Sequence, residues 1–311
     1  MKNFSFAKAG TLLKTVFKKW WKRDPFKESA IIAYYAIFSL PGLLVVVITI
    51  AGYFFGADAV SGKLHSQVAQ AMGSDTADQV QSMIMLASKS KDSVWATIMG
   101  IAIILVGATG VFAQLQKLLN TIWEVKASTT KSGIWSFLKS RIFSFGLIVS
   151  IAFLLLISLV ISSLLSAFSS WVVQHWSESL LIFFEILNVI FSLAIIAVLF
   201  ALMFKFLPDA KIKWHTVWIG ASVTSLLFVL GKSALGLYFG KADPGSGYGA
   251  AGSIILILLW TSYSSMIVFF GAEFTKVYSD NIYGQMPASE NGVEEKNSVA
   301  NKRQRRGEKK K

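Results

Sequence analysis

The chain contains no cysteine, which excludes disulfide frameworks, thiol nucleophiles, iron–sulfur clusters and Cys-containing zinc sites. Histidine is scarce, with three in 311 residues, and charge is thin: 15% of residues, against about 25% in an ordinary soluble domain. What stands in their place is apolar. Hydrophobic residues make up 54% and aromatic ones 14%, and the mean hydropathy is +0.58. Thirty Lys and Arg against 17 Asp and Glu leave a net charge of +13. A basic total often points to nucleic acid, but in so apolar a chain a membrane comes first, and the placement of the charges decides.

Six stretches are long and apolar enough to cross a bilayer: residues 30–55, 94–112, 142–168, 180–204, 216–239 and 250–271. Glu185 and Lys232 are the only charges inside them. Lipid offers the backbone no hydrogen-bond partner, so spanning segments are helices or barrel strands, and these runs are too long and too unalternating for strands. The expected fold is all-α, a polytopic membrane protein of six transmembrane helices. The connections 1–29, 113–141, 205–215 and 272–311 hold 25 Lys and Arg, whereas 56–93, 169–179 and 240–249 hold four. Positive loops stay in the cytoplasm, so both termini are expected there. The first run begins only after residue 29 and lacks a convincing cleavage site, so it is read as a retained helix and not a signal peptide.

Three regions follow. In residues 1–29, Leu13, Val16, Phe17, Trp20 and Trp21 recur at helical spacing, with Lys14, Lys18, Lys19, Lys22 and Arg23 on the other face. This predicts an amphipathic helix lying on the membrane surface, although a basic flank that merely sets topology would use the same lysines. Residues 30–279 form the transmembrane domain. Residues 280–311 are expected to be a disordered basic cytoplasmic tail, ending in Lys302-Arg303-Gln304-Arg305-Arg306 and Lys309 to Lys311. The expected partners are the bilayer and anionic lipid at its cytoplasmic face, with no nucleic acid. In the longest outer connection, Val60, Leu64, Val68 and Met72, then Val80, Met83, Ile84 and Ala87, predict two short amphipathic helices capping the bundle.

Several motif matches fail on context. Gly247-Tyr248-Gly249-Ala250-Ala251-Gly252 has the spacing of a dinucleotide fingerprint, but it joins two membrane-length runs and not a strand to a helix. Gly247, Gly249 and Gly252 are read as a tight outer turn after Asp243-Pro244, in which glycine allows positive φ; a re-entrant backbone lining a cavity is the alternative. Gly231-Lys232-Ser233 resembles the end of a phosphate-binding loop, but Leu226 occupies the position of its first glycine. His65, His175 and His215 lie in separate connections, the last across the membrane from the others, and cannot share a metal. No G-x-S-x-G is present, so no catalytic residue, metal or cofactor is assigned, and the chain is not expected to be an enzyme.

An ionisable group inside a bilayer is costly and is a functional candidate by default. Lys232 is expected in the outer half of the fifth run and Glu185 at similar depth in the fourth, where they would form an ion pair; a structural pair, or a snorkelling Lys232, is the plainer reading. Glu273 follows the last run at its cytoplasmic end, and Gln114, Gln116 and Asn120 extend from the second run toward the same side, predicting an inner polar cluster. Tyr34 and Tyr35 fit an aromatic belt, and Pro41-Gly42 marks a kink or break in the first run.

Ala33-Tyr34-Tyr35-Ala36-Ile37-Phe38-Ser39-Leu40-Pro41, Gly110 with Gln114-Leu115-Gln116, Leu119-Asn120 and Ile122-Trp123, Leu207-Pro208 with Trp214, Tyr248 through Gly252, Leu259-Trp260 with Tyr263, and Gly271-Ala272-Glu273-Phe274 together give a specific pattern. Over residues 26–280 the chain resembles the YihY/virulence factor BrkB family of bacterial inner-membrane proteins, once called ribonuclease BN. The resemblance implies a six-helix protein of the bacterial inner membrane and brings no agreed catalytic residues. The nuclease name finds no soluble domain, histidine cluster or metal-binding carboxylate set here. The expected function is a transporter or flippase-like permease for an anionic or lipid substrate, passive or ion-coupled, with Lys232, Glu185, Glu273, Gln114, Asn120 and Tyr35 along a polar path. The alternative is a non-transporting scaffold or envelope-assembly factor that recruits lipids or partners.

Overall fold

The computed structural model describes residues 6–89, 110–127, 180–242, 244–284 and 292–294. Its helices are α1 (Phe6–Lys22), α2 (Pro25–Phe55), α3 (Ala57–Met72), α4 (Ser74–Lys89), α5 (residues 110–122), α6 (Leu180–Phe206), α7 (Trp214–Ala242) and α8 (Gly252–Tyr283). Three are long and apolar enough to cross a membrane: α6 from Ile186, α7 and α8. The first run lies within α2, which is 31 residues long. The runs 94–112 and 142–168, apart from residues 110–112, lie outside the described residues, as does His175.

Local chemistry sets the breaks. Pro25 occupies the first turn of α2, where its missing N–H has no helical partner to lose, and Asp24 before it takes a left-handed φ of 50°. Gly56 at φ 86° and Gly73 at φ 92° separate α2 from α3 and α3 from α4, conformations that a Cβ disfavours. Pro41-Gly42 does not break α2: the helix runs through both, and the side chains there lie outside the described residues. An internal proline removes one backbone bond, a loss that a helix packed among others absorbs.

α8 is the hub, packing along α2 and α7 and receiving α1 on its last turns, while α6 packs on α7. α7 and α8 approach closely at two glycines. A Cβ on Gly220 would stand 1.8 Å from Thr275 Oγ1, and one on Gly271 1.9 Å from Thr224 Oγ1. Each threonine lies over the other helix's glycine and donates its hydroxyl to the carbonyl four residues back on its own helix, Thr224 to Gly220 and Thr275 to Gly271, both at 2.7 Å. Small residues let helices approach without a hydrophobic drive from water, as packing in lipid requires. The more obvious small-residue pair, Gly236 and Gly240, is not used this way: Gly240 has nothing within 4 Å and Gly236 meets only Gln70 O at 3.8 Å among the described residues.

At the end where α2 turns into α3, the two amphipathic helices form as their spacing predicts. Val80 and Ile84 are buried with Ile257 of α8, and Ile37, Leu40, Leu44, Val68 and Met72 pack around them. The turn before α8 is a 3-10 helix, Ser246–Ala251. None of Gly247, Gly249 and Gly252 takes the positive φ expected of a tight turn; Gly252, the first residue of α8, is needed for contact, since a Cβ there would fall 2.5 Å from Gly245 O, whereas Gly247 faces open space. Positive φ among the described glycines is confined to Gly56, Gly73 and Gly284.

α8 extends to Tyr283, beyond the expected start of the tail at 280. Within that tail β2 (Gly292–Glu294) pairs antiparallel with β1 (Val125–Ala127), Val125 opposite Glu294. Among the described residues this three-residue ladder is the exception to an otherwise helical architecture. It ties the tail to the segment after α5 and puts both at the basic end of the bundle, with α1 and the α6–α7 connection.

Candidate functional site at the basic end of the bundle

Charged and amide side chains converge where α1, α2, α5 and α8 meet. Arg23, between α1 and α2, donates Nε–H to Glu273 Oε2 on α8 at 2.9 Å and Nη1–H to the Thr121 carbonyl on α5 at 3.0 Å. Glu273 is only 1% exposed, while the Arg23 side chain keeps 28%. The other carboxylate oxygen, Oε1, is buried with no hydrogen-bond partner among the described residues. Beside it lies a cavity of about 10 Å³, lined by Trp20, Arg23, Glu28 and Glu273 together with Leu118, Ile122 and Phe269. That volume is near the lower limit for one water molecule. Trp20 closes the α1 side, its indole N–H donating to the Met266 carbonyl at 3.2 Å.

α5 distributes its amides to two sides. Gln114 donates to Glu28 Oε2 on α2 at 2.8 Å. Gln116 and Asn120, four residues apart and therefore on one helical face, turn to Asp209 in the α6–α7 connection. Asn120 Nδ2 donates to Asp209 Oδ2 at 2.8 Å, the Asp209 backbone N–H returns a bond to Asn120 Oδ1 at 2.7 Å, and Gln116 Nε2 approaches the same carboxylate at 3.4 Å. Burial pushes the Asp209 carboxyl above its ordinary value, while the Asn120 hydrogen bond pulls it down. One turn beyond Glu273, the buried Lys276 ammonium pairs with Asp280 at 2.7 Å and stands 5.6 Å from the centre of the Trp123 ring. The neighbouring connection is closed by Lys205, which donates to the Ile212 carbonyl and lies against Trp214, and by Lys213 over the Tyr283 ring at 3.7 Å.

The predicted gathering of Glu273, Gln114, Gln116 and Asn120 at one end is therefore present, but through intermediaries that sequence reasoning missed: Arg23, Glu28 and Asp209. Arg23 read as one more charge on the polar face of the first amphipathic segment, and nothing in the local pattern singled out Glu28. Asp209 is the single acid of its connection, facing two amides spaced i, i+4, which was the available signal. The tyrosines separate. Tyr34 is exposed, whereas Tyr35 covers Gly110 so closely that a Cβ there would lie 2.5 Å from Tyr35 Cδ1.

Lys232 is half-buried on α7, without an ion-pair partner among the described residues. The contact of Phe200 with Phe228, 5.6 Å between ring centres, sets the antiparallel register of α6 and α7. Lys232 is then roughly level with residue 196, and Glu185 sits some eleven positions, about 16 Å, nearer the far end. Similar depth is thus not what the register gives; the Glu185 side chain itself lies outside the described residues. Among the described residues no group of three His, Asp or Glu side chains is arranged to hold a metal ion.

The sequence model of a protein family described as virulence factor BrkB matches residues 16–295. A UPF0761 membrane protein of Saccharophagus degradans is 26% identical over 285 residues, covering 91% of this chain and 63% of the relative. One from Pseudoalteromonas atlantica is 25% identical over 262 residues, 82% of each chain. One from Albidiferax ferrireducens is 30% identical over 175 residues, 56% of this chain and 39% of the relative. The chain spans 63% of the length of the first of these relatives and only about 40% of several others. No solved structure matches.

Proposed function

The chain belongs to the virulence factor BrkB family, and on that premise we propose that it is a multi-pass permease of the bacterial inner membrane, moving an anionic or lipid substrate. In this reading it crosses the membrane six times, its basic end faces the cytoplasm, and the junction of α1, α2, α5 and α8 is the inner gate. The observation that supports it is the Arg23–Glu273 pair, a charge pair set into the end of apolar helices beside a small cavity. Such a pair is costly to bury and is a poor choice if stability alone is needed, since apolar side chains of similar size serve as well or better.

The gate works by exchange of partners. Arg23 belongs to the link between α1 and α2, so movement of α1 withdraws the guanidinium from Glu273 and from the Thr121 carbonyl at once. Glu273, whose side chain lines the cavity, is then left with two unpaired oxygens, and Gln114 holds Glu28 on the other wall. With no nucleotide-binding motif in the chain, movement of substrate is passive or ion-coupled, and the protein is not an enzyme.

Reconstitution tests this reading. Purified full-length protein in liposomes is assayed for exposure of a headgroup-fluorescent phospholipid to an impermeant quencher, and in parallel for exchange of inorganic anions. The expected result is a rate above protein-free liposomes in one of the two assays, reduced in Glu273→Gln. Rates equal to protein-free liposomes in both would remove the permease reading. If deletion of residues 287–311 then abolished the protein's cellular role, the scaffold would take its place.

A further inference from the structure

Three of the strips along α1 differ in what covers them. Leu12, Val16 and Trp20 dock on the bundle: Val16 is fully buried against Phe274, Val277 and Tyr278, with Leu12 packed beside it. Lys14, Lys18 and Lys22, also spaced by four, are exposed on the strip away from the bundle. Between the two lies an apolar strip left open among the described residues: Leu13, Phe17 and Trp21 are 48%, 53% and 55% exposed. Positions four apart drift by only about 40° around a helix, so the order docked, apolar, basic holds along the whole length of α1.

The apolar strip does not stop with α1. Phe17 stacks on Trp21 at 5.9 Å, and Trp21 meets Phe26 edge-on at 5.9 Å across the turn into α2. Phe26 is 60% exposed, and Tyr34 and Phe38, on the same face of α2, are 59% and 52% exposed and touch each other at 5.1 Å. One apolar surface therefore runs along α1, around the turn and up an apolar helix of 31 residues.

We propose that this strip is a docking surface for the anionic lipid of the protein's own membrane, with α1 lying in the headgroup layer, its aromatic side chains toward the acyl chains and Lys14, Lys18 and Lys22 on the phosphates. Continuity with α2 argues for lipid, because the same medium then covers both helices. The lysine row argues for negative charge in that medium. It also argues against a second copy, since two such strips laid face to face would bring their lysine rows together. The proposal stands apart from the permease reading, for a surface-docked helix serves a scaffold equally well.

The absence of cysteine makes the test direct, because one introduced thiol carries a spin label without background. Leu13→Cys, Phe17→Cys and, on the far side of α1, Thr15→Cys are placed singly in the full chain. Each is reconstituted in phosphatidylcholine liposomes with and without phosphatidylglycerol. Accessibility to oxygen, which concentrates in lipid, is compared with accessibility to a water-soluble nickel complex. The expected ratio is several-fold higher at 13 and 17 than at 15, and rises further with phosphatidylglycerol unless Lys14, Lys18 and Lys22 are changed to Gln. Ratios at 13 and 17 equal to that at 15 would put the strip in water and overturn the proposal. Shielding of both labels from both reagents would mean that protein covers the strip. Ratios indifferent to phosphatidylglycerol would overturn the anionic selectivity.

Discussion

At the far end of the bundle α3 and α4 are held by Val60, Val80 and Ile84, and their polar contacts include a Ser61–Gln81 bond and an exposed His65–Asp78 pair at 2.8 Å. At the basic end the contacts between elements run through Arg23–Glu273, Gln114–Glu28 and Asn120–Asp209, with Lys276–Asp280 within α8, most with a buried member. The far end is an apolar lid tied at its rim. The basic end sets charge where burial is expensive, and so responds to the loss of a single partner or proton. That asymmetry is the physical ground for placing function at the basic end.

The largest effect is expected from Arg23→Gln, which leaves the buried Glu273 carboxylate without its counter-charge and should cost about 3 kcal/mol. Glu273→Gln should cost less, about 1 kcal/mol, because Arg23 is part exposed and finds water. The double variant should be less destabilised than Arg23→Gln alone. Thermal melts of the three in one detergent check this order; equal losses would mean that the pair is not electrostatically coupled. Next in size, Gly220→Ala sets a methyl group against Thr275 and should cost about 2 kcal/mol, whereas Gly240→Ala, with nothing within 4 Å, should be neutral or slightly stabilising.

A third expectation concerns pH. Because burial raises the Asp209 carboxyl, the folded state holds that proton more tightly than the unfolded chain, whose value is near 3.8. The resulting stabilisation is fully present below that value and is lost as pH rises through the folded one. Melting temperature measured upward from pH 4 should therefore carry a falling contribution that Asp209→Asn removes; an identical pH profile in the variant would contradict the assignment. The smallest effect belongs to the far end. Asp78→Asn breaks an exposed pair and should change stability by no more than about 0.5 kcal/mol.

Much of this contrast was legible in the sequence, and the missing part has a definite cause. Run length and composition mark α6, α7 and α8 as long and apolar enough to cross a membrane, and four-residue spacing marks α3 and α4 as amphipathic, because those properties reside within one segment. Glu273, Gln114 and Asn120 were visible as polar groups beside apolar runs. Their partners were not, since Arg23 and Glu273 are 250 positions apart and no local spacing encodes a contact between them. The same limit explains α1, where a single apolar face was expected from Leu13, Val16, Phe17, Trp20 and Trp21. The fold divides those residues between protein and open surface because α8 takes Val16 and Trp20. Gly220 and Gly271 were equally hidden: neither stands four residues from another glycine in its own helix, and only the packing of α7 on α8 sets each against a threonine.

In the permease reading the Arg23–Glu273 junction, and not the far-end cap, controls passage through the bundle. The most direct test compares flux in reconstituted liposomes for wild type, Glu273→Gln and Val80→Ala, each shown by melting to be folded. A rate lowered at least tenfold in Glu273→Gln, with Val80→Ala close to wild type, is the predicted result, tenfold corresponding to about 1.4 kcal/mol in the barrier. Equal rates in wild type and Glu273→Gln, or a loss confined to Val80→Ala, would contradict it.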